Sequence, residues 1–229
     1  MVVAYHGCDI TVRDDLVAGR LDHLDHSANE YDWLGPGAYF FEGDVKRAVY
    51  FAHASHNHPE KRYTARPIAT PSVVGAMLNV AVWLDMTTQN GLGQFKDGYD
   101  ALLAGLRSAN MSVPSNRAAG EDDTDIIYRA LDNAVFNWVH RARAQATPSL
   151  VPYQAVRAAF HQGPEIAPRS GFHERTHVQI ALRDDSCVFA WFLPEYSTLL
   201  TEEQYASAKE RMAAAVARDR KPRVRIKLN

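Results

Sequence analysis

The sequence predicts an α+β fold in which a block of helices separates two groups of β-strands. Residues 2–6 and 73–84 are rich in β-branched residues and predict strands, and two further strands are expected at residues 177–183 and 187–193. Between these groups the apolar residues recur every three or four positions, as in amphipathic helices. Because strands and helices do not alternate regularly, the pattern disfavours a doubly wound sheet and favours an α+β domain.

Three elements are expected between the first strand and residue 73: a helix over residues 14–21, a short strand over residues 38–41 and a helix over residues 45–55. The turn sequence Gly35-Pro36-Gly37 precedes the short strand. Asp44 stands one residue before the second helix, where an N-cap is expected. Residues 73–84 fit either one long buried strand or two strands joined at Asn79.

The helical block is expected to cover residues 87–168, with helices over residues 99–107, 124–143 and 153–161. A last helix is expected over residues 202–218. The longest helix of the block has an apolar stripe that should pack onto the sheet, formed by Ile127, Leu131, Val135 and Trp138. Its opposite face should be either solvated or free to meet an acceptor, and carries Arg129, Asn133, Asn137 and Arg141.

Composition and charge exclude several classes of protein. The 229 residues are 46% hydrophobic and 23% charged, which excludes a disordered chain. The two cysteines, Cys8 and Cys187, cannot form a disulfide framework and fit a reducing, cytoplasmic compartment. No signal peptide and no membrane-spanning stretch are expected. Residues 201–229 carry eight Lys or Arg and four Asp or Glu, a net charge of +4, so residues 1–200 carry −6. This distribution does not favour extensive nucleic-acid binding.

Three short motifs in the first 55 residues are similar to the NAD-binding half of a known enzyme family. His6-Gly7 ends the first strand, Gly37-Ala38-Tyr39-Phe40 forms the next, and Tyr50 follows Tyr39 by eleven residues. Their order and spacing resemble those of ADP-ribosyltransferases of the His-Tyr-Glu clade, the clade of diphtheria toxin and the poly-ADP-ribose polymerases. Residues 29–35 also resemble the loop that precedes the first tyrosine in such toxins. A weaker likeness covers about 20 residues at 175–193.

The resemblance implies a fold, a substrate and a set of roles. The fold would be a split antiparallel sheet with an inserted helical block, and the substrate would be NAD. His6 would bind the ribose on the adenosine side, and the backbone of Gly7 would hold the nicotinamide carboxamide. Tyr39 and Tyr50 would stack on the nicotinamide ring. Arg47 would stand where the polymerases have a serine that contacts the carboxamide.

The catalytic position differs from the family pattern. The resemblance places Gln179 where the family has a glutamate that holds the nicotinamide ribose as the glycosidic bond breaks. His177, two residues earlier, would contact the acceptor. Glu174 has the right chemistry for catalysis, but its spacing places it before the strand. Gln179 is alternatively an ordinary strand residue with no catalytic role.

Taken together, these motifs predict one domain over residues 1–229. It would consist of an NAD-binding half at 1–86, the helical insertion at 87–168, late strands at 169–200, and a helix with a basic tail at 201–229. The function expected from the resemblance is a toxin-like ADP-ribosyltransferase that modifies a macromolecule, with an antitoxin as a further partner and no membrane association. One alternative is a non-catalytic module that binds NAD or ADP-ribose. Another is a metal-dependent hydrolase built on His53, His56 and His58, whereas the transferase itself would need no metal.

Overall fold

The computed structural model describes residues 1–30, 32–59, 64, 66–118 and 125–219. In this part of the chain the strands are β1 (Val2–Asp9), β2 (Ala38–Glu42), β3 (Pro71–Leu78), β4 (Trp83–Asp85), β5 (Asn116–Arg117), β6 (Tyr128–Arg129), β7 (Ala155–Phe160), β8 (His177–Leu182) and β9 (Val188–Phe192). The α-helices are α1 (Ile10–Val17), α2 (Val45–Asn57), α3 (Gln89–Ser108), α4 (Ala130–Ala144) and α5 (Glu202–Asp219).

Seven strands form one mixed sheet in the order β4-β7-β8-β2-β1-β3-β9, and β5 pairs with β6 in a separate ribbon. The predicted α+β class is therefore confirmed. The expected antiparallel pairing is found from β7 through β9, whereas β4 and β7 run parallel at one edge, so the sheet is mixed. The two halves of the sheet meet at β1 and β2, which pair at just two positions, Ala4 with Glu42 and Tyr5 with Phe41.

The helices cover the two faces of the sheet unequally. One face, which carries Ala4, Phe40 and Ile180, packs against α1. The opposite face is covered in two places, by α2 over Phe41 and Val73 and by α3 and α4 over the β4-β7-β8 half. The space between α2 and the α3–α4 layer lies directly over the junction of β1 and β2.

Helix α5 packs against α1 through charged and polar contacts. Asp15 of α1 accepts hydrogen bonds from the Tyr205 hydroxyl and, at 2.7 Å, from Lys209 Nζ. The predicted helix over residues 202–218 is thus confirmed, while the basic tail at 220–229 lies outside the described residues. Within the described ranges, no helix is both long enough and apolar enough to cross a membrane.

Several boundaries differ from the sequence-based expectation. The helix expected at 14–21 is α1, which begins earlier because Asp9 accepts hydrogen bonds from the Thr11 N–H and hydroxyl. Residues 153–161 do not form a helix. They contain strand β7, whose two faces are both largely buried, so its apolar residues show no two-residue alternation. The long segment at 73–84 divides into β3 and β4, which lie in opposite halves of the sheet.

Helix α4 also departs from its predicted orientation. It begins at Ala130, and the predicted start at residue 124 lies outside the described residues. Val135 is fully buried, as the apolar stripe requires. Asn133, expected on the solvated face, is instead buried and donates from Nδ2 to the carbonyls of Asn29 and Asp32, both at 3.1 Å. Periodicity misplaced Asn133 because its partners lie about one hundred residues away.

We expect Gly7→Ala to lower the free energy of unfolding by about 1–3 kcal/mol, because a Cβ at Gly7 would stand 2.5 Å from the Ala48 carbonyl oxygen of α2. The matched control is Gly93→Ala, where the added methyl meets open space on α3 and should stabilise by about 0.5–1 kcal/mol. Urea unfolding curves of both variants measure the difference. Equal effects at the two positions would contradict the close packing of β1 against α2.

Candidate functional site

A cleft of about 490 Å³ opens where β1 and β2 separate. Six of the eight residues selected from the sequence line it: His6, Gly7, Tyr39, Arg47, Tyr50 and Gln179. The other two, Glu174 and His177, do not line it. The cleft thus gathers residues from β1, β2, α2 and β8 that are up to 173 positions apart in the chain.

The cleft exists because one rung of the β-ladder is missing. The register that pairs Tyr5 with Phe41 would next pair Gly7 with Tyr39, but the pairing ends before that point. In its place the His6 side chain reaches across, with Nδ1 at 2.6 Å from the Tyr39 carbonyl oxygen. A carbonyl only accepts, so Nδ1 carries the proton. Burial lowers the pKa of His6, which keeps the imidazole neutral near pH 7 and leaves Nε2 as an acceptor.

The backbone of Gly7 is directed at this gap. Successive residues of a strand present their N–H and C=O groups to opposite neighbours. The Val3 carbonyl accepts from the Gly43 N–H after β2, so Gly7, in the same phase, points its N–H and C=O towards β2. Since the register ends before Tyr39, whose carbonyl is engaged by His6, the N–H and C=O of Gly7 are directed into the gap.

Tyr39 is held rigidly on the other side of the gap. Its hydroxyl donates to the Gly35 carbonyl at 2.6 Å and accepts from the Leu34 N–H at 2.9 Å. Gly35 adopts φ +78°, a left-handed conformation that favours glycine and closes the turn on the tyrosine. Burial raises the pKa of Tyr39 well above its usual value, so the phenol stays protonated and its ring is fixed against the cleft.

The loop before β2 is fixed by side chains that sequence reasoning did not select. Asp32 accepts from the Ser27 hydroxyl at 2.7 Å and from the Asn29 N–H at 2.8 Å. Burial raises the pKa of Asp32, although these hydrogen bonds oppose the shift. Trp33 donates from its indole nitrogen to the Ile127 carbonyl at 2.6 Å. Together with Asn133 of α4, these contacts tie the loop to the helical block.

Helix α2 supplies the wall opposite Tyr39. Asp44 accepts from the Arg47 N–H at 2.9 Å, as expected for the N-cap. The Arg47 side chain crosses the cleft and donates to Gln162 Oε1 at 2.7 Å. One turn further, the Tyr50 ring is 52% exposed and lies 5.2 Å from the Arg47 guanidinium carbon. Tyr50 is therefore available to a ligand.

The three residues near β8 have different environments. Gln179 is half-buried and lies between Phe41 of β2 and Ala158 of β7 in the sheet. His177 is 5% exposed and packs against Phe41, Phe160 and Trp33. This burial does not fit direct contact with a macromolecular acceptor. Glu174 is exposed in the loop before β8, outside the cleft.

Three further residues complete the rim and were missed from sequence: Asp125, Gln162 and Arg175. Arg175 Nη2 and an Asp125 oxygen lie 2.8 Å apart, and Asp125 also accepts from the Gly163 N–H at 3.0 Å. Arg175 is two residues before His177, but nothing in its neighbourhood marks Asp125 as its partner. Such a pair, 50 positions apart, has no local signature.

His53 and His56, in the last turns of α2, and His58, its C-cap, do not form a metal site in the part of the chain that the structure describes. No group of three or more His, Cys, Asp or Glu there could hold a metal ion. His56 Nδ1 is engaged with the Ile68 carbonyl at 2.8 Å. This observation gives no support to the metal-dependent hydrolase.

Comparison with known proteins identifies no relative. No family model, no curated protein and no solved structure matches the chain.

We expect the free energy of unfolding to fall as the pH drops from about 6.5 towards about 4, because burial lowers the pKa of His177 to about 4. In this window the unfolded chain binds a proton that the folded protein excludes, which costs up to about 1.4 kcal/mol per pH unit for each such histidine. His177→Phe should flatten the dependence in urea unfolding series. The control Phe160→Leu perturbs the same aromatic contacts and should keep the slope. An unchanged slope in His177→Phe would contradict this assignment.

Proposed function

We propose that the protein is an ADP-ribosyltransferase that cleaves NAD between nicotinamide and ribose and passes ADP-ribose to a macromolecule. The observation that carries this proposal is the end of strand pairing before Gly7 and Tyr39, which directs a backbone N–H and C=O into a cleft whose lining includes Tyr39 and Tyr50. A carboxamide needs one donor and one acceptor. The motif resemblance and the geometry of the cleft thus both favour binding of the nicotinamide end of NAD.

NAD binding follows from the chemistry of these groups. The N–H and C=O of Gly7 hold the carboxamide, and the rings of Tyr39 and Tyr50 stack on nicotinamide, each contact being worth about 0.5–1.5 kcal/mol beyond area burial. His6 lies on the other face of the sheet and offers Nε2 to a hydroxyl of the adenosine ribose. NAD would therefore be bent through the gap, with its glycosidic bond near Gln179.

The reaction is a substitution at the anomeric carbon of the nicotinamide ribose. A nucleophilic atom of the acceptor forms a bond to that carbon as the bond to the nicotinamide nitrogen breaks. The electron pair of the breaking bond returns to the ring, nicotinamide leaves as a neutral molecule, and the acceptor proton passes to water. Positive charge develops on the ribose in between, so the cleft must stabilise a cation.

Gln179 limits how well the cleft stabilises the positive charge on the ribose. Its amide oxygen can accept a hydrogen bond from the 2′-hydroxyl, but it brings no negative charge. Losing such a charge costs about 2–4 kcal/mol of transition-state stabilisation, or roughly two to three powers of ten in rate. In the family that the motifs resemble, the glutamate also supports chain elongation, so its replacement by Gln179 favours transfer of single ADP-ribose units. A toxin-like role with an antitoxin partner is part of the proposal through the resemblance alone.

The same observation supports a second candidate, a module that binds NAD or ADP-ribose without turnover. A neutral side chain at position 179 can still accept a hydrogen bond from a ribose hydroxyl in the bound ground state, whereas a charge matters most for the cationic transition state. The two candidates differ in NAD consumption. Mass spectra of NAD-treated cell extract, with and without the protein, would report both turnover and the class of acceptor.

We expect His6→Ala to weaken NAD binding about tenfold, and Gln179→Ala to lower kcat about tenfold or more with little change in KM. The reason is that a ribose anchor acts in ground and transition states alike, whereas Gln179 acts as charge develops. NAD titration and turnover measure both, with exposed Gln145→Ala at the C-cap of α4 as the matched control. A full rate in Gln179→Ala would remove Gln179 from the mechanism. Loss of turnover in Glu174→Gln would move the catalytic role to Glu174.

A further inference from the structure

Two arginines line the rim of the cleft, close enough for the charge of one to act on the other. Arg47 extends from the first turn of α2, and Arg175 stands two residues before the start of β8. Burial lowers the pKa of Arg47, and the nearby charge of Arg175 lowers it further. Two like charges held together at a half-buried position repel each other, and an anion between them would relieve that repulsion.

Their present partners leave donors unused. Among the described residues, the one side-chain hydrogen bond of the Arg47 guanidinium goes to the neutral Gln162, and its Nε is buried without a partner. In the described part of the chain Arg175 pairs with the Asp125 carboxylate, which also accepts from the Gly163 N–H, and it interacts with the Tyr50 hydroxyl. Asp44 is occupied with capping α2. The pair therefore keeps guanidinium N–H groups for a further acceptor.

We propose that Arg47 and Arg175 together bind a phosphoryl group at this rim. Guanidinium groups present planar pairs of N–H donors that match the oxygens of phosphate. The Asp125 carboxylate offsets part of the charge of the pair, and a phosphoryl group would offset the rest. The half-exposed ring of Tyr50 lies beside Arg47 and can flank the group that carries the phosphate. Gln162 holds the Arg47 guanidinium in place across the cleft.

The molecule that carries the phosphate is either NAD, through its pyrophosphate, or the acceptor. This distinction rests on the proposed function. His6 lies on the α1 face of the sheet, whereas Arg47 and Tyr50 lie over the opposite face. The arginine pair is therefore at the nicotinamide end of the path proposed for NAD, where the acceptor would enter.

Calorimetric titration of inorganic pyrophosphate into the full chain at low ionic strength tests the site. Arg47→Gln and Arg175→Gln should each weaken binding about tenfold, equivalent to about 1.4 kcal/mol. The matched control is Arg66→Gln, since Arg66 lines the same cleft but pairs with Asp25 at 2.7 Å, and its affinity should stay within about twofold of the unmodified protein. No saturable binding, or an equal loss in all three variants, would overturn the proposal.

Two further measurements keep the result interpretable. Arg175 is partly exposed, so Arg175→Gln tests the site even if circular dichroism shows that Arg47→Gln does not fold. Titration of pyrophosphate in saturating ADP-ribose identifies the carrier: competition supports a site for the dinucleotide, and simultaneous binding supports a site for the acceptor. Pyrophosphate binding without any NAD binding would support the phosphate site and contradict the proposed function. Normal NAD turnover without pyrophosphate binding would support the proposed function and overturn the phosphate site.

Discussion

The hydrogen bond between the His6 imidazole and the Tyr39 carbonyl is the contact on which the cleft depends. Two adjacent strands normally pair along their whole overlap, since an unpaired backbone group in a buried position is costly. Here a side chain satisfies the carbonyl that the next rung would have used. The strands can therefore separate at Gly7 while the sheet remains continuous through the pairs Ala4–Glu42 and Tyr5–Phe41.

The elements around this gap are fixed by contacts that converge on it from both halves of the sheet. Tyr39 is tied to the turn at Gly35, the preceding loop is tied to α4 through Asn133, and α2 lies directly on Gly7. Through Asn133, the helical block thus stabilises the loop before β2, which lines the cleft. In this arrangement α4 acts through the loop that it holds. Arg129, which directly precedes α4, also stacks on Trp33 and pairs with Asp132 in the first turn of the helix.

Sequence reasoning located the local parts of this structure and missed the long-range ones. The N-cap at Asp44, the short strand before α2 and the strands β8 and β9 each have a signature within a few residues. Strand β7 has no such local signature, because burial of both its faces removes the alternation that marks a strand. The rim residues Asp125 and Gln162 likewise depend on partners far away in the chain, so neither composition nor spacing could indicate them.

Gly7 has consequences for how this cleft could change by mutation. The atom nearest to a Cβ there would be a backbone carbonyl oxygen, that of Ala48 at 2.5 Å, and the Phe51 ring comes next at 3.2 Å. No substitution on α2 can make room, because every residue type carries the same carbonyl. A larger residue at position 7 therefore requires the whole helix to move, and Arg47 and Tyr50 would move with it. The first strand and the orientation of α2 can evolve together but not separately, which restricts the routes by which this site could acquire a new ligand.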